Sequence, residues 1–459
     1  MKLKTLAGIL AVVGLAMPGL ASATNGYFSH GYGMTAKGMG GAATAMAKDA
    51  FGGANNPASM VFVGDRMDVG VDWFRPIRSA ERTGSDNGMD FSSNSGSNDF
   101  AIPEFGYNMM LGDKMSLGIT VYGNGGMNTD YAGGEILNAS VGGHPPICNQ
   151  FQGMAGLDNT GNASNNALCG NGKLGVDLIQ LVIAPTVAYK VNENNSIGVS
   201  PLLGYQRFKA DGLQGFSAYS TDMNNLTNKG YDSAYGWGVR FGYMGKLNDM
   251  VTVGAAYSTK IAMSKFDKYK GLFAEQGDFD MPENWNLGIA IKATPKTTVA
   301  VDYQRINYGG VKSIANSQVM PLDATNPPGS IANSLGCDSC RGFGWGDVDV
   351  VKLGVEHVYS EKLTLRAGYS HSNNPITARD TTFNIIAPGV VTDHYTLGFT
   401  YGLDKVSEIT MSYMHAQENS VSGSSLFNTW TVPFSMGNTG TEKIKMYQDS
   451  LGIAYGVKF

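Results

Sequence analysis

The last nine residues alternate strictly. Leu451, Ile453, Tyr455, Val457 and Phe459 are apolar, and Gly452, Ala454, Gly456 and Lys458 between them are small or polar. A period of two marks a strand with different surroundings on its two faces. In a soluble sandwich the apolar face points to a core; in a membrane barrel it points to lipid and the small face to the lumen. The order of turns and loops separates these cases. Alternating segments are joined in pairs by tight polar turns at Gly112-Asp113-Lys114, residues 192–195, Asn248-Asp249, Pro295-Lys296, Glu361-Lys362 and Asp404-Lys405. Between the pairs lie long polar stretches over residues 77–98, 127–173, 214–232, 268–281, 311–344, 376–388 and 422–440. Short and long connections therefore alternate, as in barrels with short periplasmic turns and long extracellular loops. From Arg66 onward the pattern predicts an all-β, antiparallel transmembrane barrel of about fourteen strands over residues 66–459.

The predicted outward faces agree from strand to strand. They carry Leu117, Ile119 and Val121; Trp285, Leu287, Ile289 and Ile291; Val351, Leu353 and Val355; and Tyr395, Leu397, Phe399 and Tyr401. Tyr189, Tyr243, Tyr359 and Tyr401 fall near the short turns, where an interfacial aromatic girdle belongs. Beyond the N-terminal stretch no segment has the long, charge-free apolar run of a membrane helix. That stretch has Lys2 and Lys4, an apolar run over residues 6–15 and Ala21-Ser22-Ala23, the pattern of a secretory signal cleaved after Ala23.

Residues 24–65 have a different pattern. Gly31, Gly33, Gly38, Gly40 and Gly41 precede an Ala-rich run, and then comes Asn56-Pro57-Ala58. The segment is too small for a core of its own. It is either a flexible linker or a plug, since a barrel this wide is not filled by its own side chains. Tyr27, Phe28, Tyr32, Met34, Met39, Met46 and Phe51 give it an apolar surface, which favours a hatch packed in the lumen against the wall. Gly123, Gly125 and Gly126, around Asn124, mark either a kink in the third strand or simply its end.

Composition narrows the function. The chain has 62 Gly, 22 Tyr and 20 Phe but only 15% charged residues, against about 25% in soluble domains. Its formal charge of -5, with no basic cluster, argues against a nucleic-acid partner. Four cysteines in an exported chain suggest disulfides, most simply Cys148 with Cys169 and Cys337 with Cys340. A redox or zinc role for Cys337 and Cys340 lacks a second such pair. His357, His371 and His415 share outward faces, and only His394 lies on a small polar face with no nucleophile evident beside it. A barrel lipase or other enzyme is therefore disfavoured. No metal or organic cofactor is indicated.

The hatch with Asn56-Pro57-Ala58, followed by Thr129-Asp130-Tyr131-Ala132-Gly133-Gly134, Tyr205-Gln206-Arg207-Phe208-Lys209, Pro282-Glu283-Asn284-Trp285 and Ser412-Tyr413-Met414-His415-Ala416-Gln417, resembles the FadL-type outer-membrane transporters. These include long-chain fatty-acid channels and TodX-like aromatic-hydrocarbon channels. The resemblance spans essentially the whole mature chain. It implies a monomer in the bacterial outer membrane that takes hydrophobic molecules from extracellular loops. They would pass to a pocket between barrel and hatch and leave laterally into the membrane at an inward kink of an early strand. Arg207 and Lys209 resemble a family position where bases meet a fatty-acid carboxylate. Val199, Leu203 and Tyr205 share their face, however, so either Pro201 shifts the register or the two bases sit at the outer rim against lipopolysaccharide phosphates. Phe459 resembles the terminal aromatic residue recognised by the barrel assembly machinery. A structural or adhesive barrel is the alternative.

Overall fold

A computed structural model describes residues 25–85, 88–139, 146–319, 334–428 and 439–459. The expected signal peptide and Thr24 lie outside these residues. The main sheet has sixteen strands, of which Phe91–Asn94 and Ala262–Met263 are short additions at the rim. The rest are β1 (Arg66–Thr83), β2 (Phe100–Leu111), β3 (Met115–Asn128), β4 (Gly175–Lys190), β5 (Asn195–Asp211), β6 (Asp232–Lys246), β7 (Val251–Ser258), β8 (Asn284–Thr294), β9 (Thr297–Ile306), β10 (Val348–Val358), β11 (Leu363–Ser372), β12 (Asp393–Gly402), β13 (Ser407–Ser424) and β14 (Thr441–Lys458). Each pairs antiparallel with its neighbours in sequence, and β14 pairs with β1 from Arg66↔Lys458 to Thr83↔Thr441. The result is a closed fourteen-stranded barrel, the arrangement that lets strands cross lipid with their backbone groups satisfied.

The alternation sets the two faces. Leu451, Ile453 and Tyr455 are each more than 40% exposed on the outside, whereas Ala454 points inward and is 7% exposed. Trp73, opposite Leu451, extends the same apolar wall across the closure. Two sequence expectations need correction. β1 continues to Thr83 instead of ending at residue 77, because its upper half stays paired with β14. Val121 is buried, since β3 bends inward there and loses its lipid-facing position.

Residues 25–62 lie inside the ring, as their hydrogen bonds to inward-facing groups on several strands require. Ala50 N donates to Asp68 on β1 at 2.9 Å, Gly40 N to Thr396 on β12 at 2.8 Å, and Ala43 N and Thr44 N to Asp302 on β9, both at 2.8 Å. The wall offers glycines where the segment comes closest. A Cβ at Gly354 or Gly106 would lie 2.7 Å from the Met39 carbonyl oxygen or 2.5 Å from that of Ala50. The Gly and Ala content of the segment thus serves close backbone-to-wall packing.

A candidate ligand passage

The lumen is divided by chemistry. In one part, buried charges on the wall hold the N-terminal segment. Lys37, in the short helix Met34–Lys37, places Nζ 2.8 Å from Asp72 on β1 and 3.6 Å from Glu104 on β2. Lys352 Nζ donates to the His30 carbonyl at 3.1 Å, and the Arg240 guanidinium donates to the carbonyls of Gly53 and Ala54. Asn56 caps the 3-10 helix Pro57–Phe62 by accepting from Ala58 N at 3.1 Å, and its Nδ2 donates to Thr44 O at 2.7 Å and Tyr243 O at 2.9 Å. Pro57 and Ala58 press on Gly198 and Gly242 of the wall. Asn56-Pro57-Ala58 is therefore a fastening of the segment's end to β5 and β6.

The other part is apolar. A small apolar cavity lies among the long loops, lined by Leu168, Leu213, Phe216, Phe273, Phe343 and Phe383 among others, with Arg341 as its charged lining side chain. Its lining is of the apolar, aromatic kind that hydrophobic ligands contact. Aromatic rings continue from it towards the segment. Phe273 and Phe279 have centroids 4.8 Å apart, Phe279 and Tyr27 are 6.2 Å apart, and Tyr27 and Phe28 are 5.5 Å apart. Tyr308 and Trp345 flank this row at 5.1 and 5.9 Å from Tyr27.

The row ends at an irregularity in the wall. β2 and β3 pair only from Phe105↔Val121 to Leu111↔Met115, so residues 122–128 of β3 leave β2 and turn inward. Their register with β4 shifts between Gly123 and Gly125. In place of β2, the bent part pairs with the N-terminal segment: Phe28 bridges to Gly125, Ser29 N donates to Asn124 O at 3.2 Å, and Gly126 N donates to Tyr27 O at 3.2 Å. Pro103 lies on the stretch of β2 that β3 leaves, where a residue without an N–H sacrifices no ladder bond.

The residues singled out in the sequence separate into groups. Tyr27, Phe28 and Tyr32 join the apolar cluster, and the Tyr32 ring packs at a tilt with its centroid 4.5 Å from that of Tyr122 on the bent strand. Met34, Met39 and Phe51 are buried but outside that cluster. Met34 meets Gly452 and Ser412 on the wall, Met39 packs with Ala42, Ala290 and Ala300, and Phe51 covers Gly33. Arg207 and Lys209 are not in the lumen either. Strand parity puts Gln206, Phe208 and Ala210 inside and the two bases outside, where both lie over the ring of Tyr231. Pro201 does not shift the register: Ile183↔Leu203 and Val187↔Val199, on either side of it, follow one alignment. Cys148 is bonded to Cys169 and Cys337 to Cys340, both within the loop layer over the cavity. Sequence reading missed Phe216, Phe273, Phe279, Tyr308, Trp345 and Phe383. Their only signal is aromatic residues set within polar, Gly- and Asn-rich loops.

One loop acid gives a pH dependence. Burial, reinforced by Asp280 and Glu275, pushes the Asp278 carboxyl up to about 6. The folded loop therefore binds a proton more readily than the unfolded one, and its stability rises as pH falls through that value. Amide protection across residues 259–283, corrected for intrinsic exchange, is expected to increase from about pH 8 to about pH 5. A decrease or no change would contradict this assignment.

A closed wall of lipid-facing side chains, filled by its own N-terminal segment and capped by an apolar cavity, defines a membrane channel with an occluded lumen. A family model described as outer membrane protein transport protein (OMPP1/FadL/TodX) matches residues 157–459. The chain belongs to that family, whose members are outer-membrane transport channels for hydrophobic substrates. No curated protein matches the sequence. Among solved structures, the chain is similar to the toluene transporter TodX of Pseudomonas putida, with 19% identity and TM-score 0.62 over 94% of this chain and 99% of that one. A Pseudomonas aeruginosa FadL homologue shares 13% identity at TM-score 0.64, over 95% and 100% of the two chains. The toluene transporter TbuX of Ralstonia pickettii shares 18% at 0.58, over 94% and 99%. At these identities the likeness is one of fold.

Proposed function

We propose that the protein carries small hydrophobic molecules, aromatic or long-chain, from the cell exterior into the outer membrane. The row of rings from the loop cavity through Phe273, Phe279, Tyr27 and Phe28 to the bend in β3 carries this reading. The loops take up the molecule in the cavity, and residues 24–65 act as a hatch that turns it towards the wall. The gap in pairing between β2 and β3 lets it leave sideways. Each buried CH₂ contributes about 0.8 kcal/mol, so an apolar track can draw such molecules from dilute solution, and lateral release keeps them out of water. The toluene and monoaromatic hydrocarbon channels among the similar structures support this ligand class. In this reading the protein transports without catalysis and works as a monomer, its ring of strands being closed within one chain.

Uptake of radiolabelled toluene and oleate by cells with and without the gene tests the proposal. Gene-dependent uptake of at least one is expected, and it should fall when Phe273→Asp places a charge in the cavity. If neither compound depends on the gene, transport of this ligand class is excluded.

A further inference from the structure

Three hairpins repeat one arrangement on the outer surface. β9 carries Tyr303 and Arg305, β11 carries Tyr369 and His371, and β13 carries Tyr413 and His415, in each case two residues apart. The basic residue stands directly opposite an aspartate of the next strand: Arg305↔Asp349, His371↔Asp393 and His415↔Asp449. The tyrosine hydroxyl donates to that same aspartate at 2.6, 2.5 and 2.8 Å respectively. These strands thus give their rim basic residues a partner within the barrel wall.

On β5 the same places hold Tyr205 and Arg207, but the residue opposite Arg207 is Ser233. The Tyr205 hydroxyl lies 3.3 Å from Ser233 Oγ. Among the described residues, Arg207 has no hydrogen-bond or ion-pair partner. Its guanidinium stacks on Tyr231, 4.0 Å from the ring centroid. Lys209 Nζ is 5.2 Å from that centroid, and Lys268 Nζ donates to the Tyr231 carbonyl at 2.6 Å. The neighbouring carboxylates are engaged elsewhere. Asp177 accepts from the Tyr231 hydroxyl at 2.5 Å, Asp211 pairs with Lys209 at 3.4 Å and Lys173 at 3.6 Å, and Asp232 accepts from Lys268 N at 2.8 Å. The stacking holds a planar fork of donors in place with no acceptor from the described residues.

The position identifies the acceptor. Towards the membrane on the same outer face lie Leu203, Tyr235 and Trp237, exposed by 49, 66 and 67%. Arg207 therefore stands where acyl chains give way to headgroups on the extracellular side, and the headgroups there carry lipopolysaccharide phosphates. We propose that Arg207, supported by Lys209 and Lys268, binds a phosphate of the outer-leaflet glycolipid. Arginine suits this role through bidentate, charge-assisted bonds to phosphate oxygens. The inference rests on the protein's place in the outer membrane and is independent of its transport reading.

Ser233→Asp tests it by building at β5 the pair that the other hairpins already have, and Arg207→Ala tests it by removing the donor. Native mass spectrometry of the purified protein titrated with bisphosphorylated lipid A, dephosphorylated lipid A or phosphatidylglycerol provides the readout. The wild type should prefer bisphosphorylated lipid A, and both variants should bind it at least about tenfold more weakly. Heat-modifiable migration on gels and toluene or oleate uptake should stay at wild-type levels. The site is refuted if either variant, migrating as a folded barrel, binds bisphosphorylated lipid A like the wild type. It is equally refuted if the wild type binds none of it, or holds either of the other lipids as tightly.

Discussion

Replacing Lys37 with methionine should release the N-terminal segment from the wall at a cost of about 3–5 kcal/mol, the penalty typical of leaving a buried charge without its partner. The ammonium is 5% exposed, and both its partners are 4% exposed. Burial by itself lowers the proton affinity of Lys37, but Asp72 and Glu104 more than offset this and hold it above its ordinary range. Methionine keeps much of the length while removing the charge, so two carboxylates on β1 and β2 would face each other across a dry gap. The barrel ladder does not depend on Lys37, and the loss should fall on the segment. Hydrogen exchange across residues 25–62 should quicken while the strands stay protected, and conductance in planar bilayers should rise as the lumen opens. Lys37→Arg, which retains the charge, should restore much of the protection. Unchanged exchange in the methionine variant would show that the ion pair does not secure the segment.

Gly125→Val should block the passage at its wall end. A side chain there would collide with the Tyr27 carbonyl oxygen, which accepts from Gly126 N. Overpacking of this kind costs about 1–3 kcal/mol, and a tenfold change in population needs only about 1.4 kcal/mol. The collision is relieved most simply by moving residues 25–29 off the bent part of β3, which disrupts the end of the aromatic row. Uptake should fall about tenfold while the barrel keeps its heat-modifiable migration. Gly112→Val provides a control: that residue sits in a short turn with nothing within 4 Å of a Cβ, and although its φ of 68° makes the change locally unfavourable, uptake should survive. Equal uptake by wild type and Gly125→Val would remove the bend from the route.

The barrel was legible because lipid and lumen impose opposite demands on alternate residues. The strand Leu451, Ile453, Tyr455 shows this plainly, and its register against Val69, Val71 and Trp73 is the seam that closes the ring. Turn chemistry was legible for the same local reason: Gly112-Asp113-Lys114 and Asp404-Lys405 need only their neighbours to form a tight connection. Parity also contained the correct position of Arg207 and Lys209, since Leu203 and Tyr205 on their face already pointed to lipid. A ligand role inside the barrel conflicted with that parity, and the structure follows the parity.

Other features depend on contacts between residues far apart in the chain. Nothing near Val121 announces that it is buried; that follows from β3 leaving β2 and pairing instead with residues 27–29, almost a hundred positions earlier. Asp302 and Lys352 look like ordinary small-face residues until the N-terminal segment arrives with unpaired N–H groups and the His30 carbonyl. The cavity draws its lining from loops that are separate in sequence and individually polar, so no single stretch encodes it. By itself, the sequence determined the barrel, its strand count and the facing of residues on the regular strands, because strand periodicity is local. The tertiary structure alone decided where β2 and β3 part, what holds the segment inside the ring and which rim arginine stands opposite a serine instead of an aspartate, because each depends on which residues become neighbours once the ring closes.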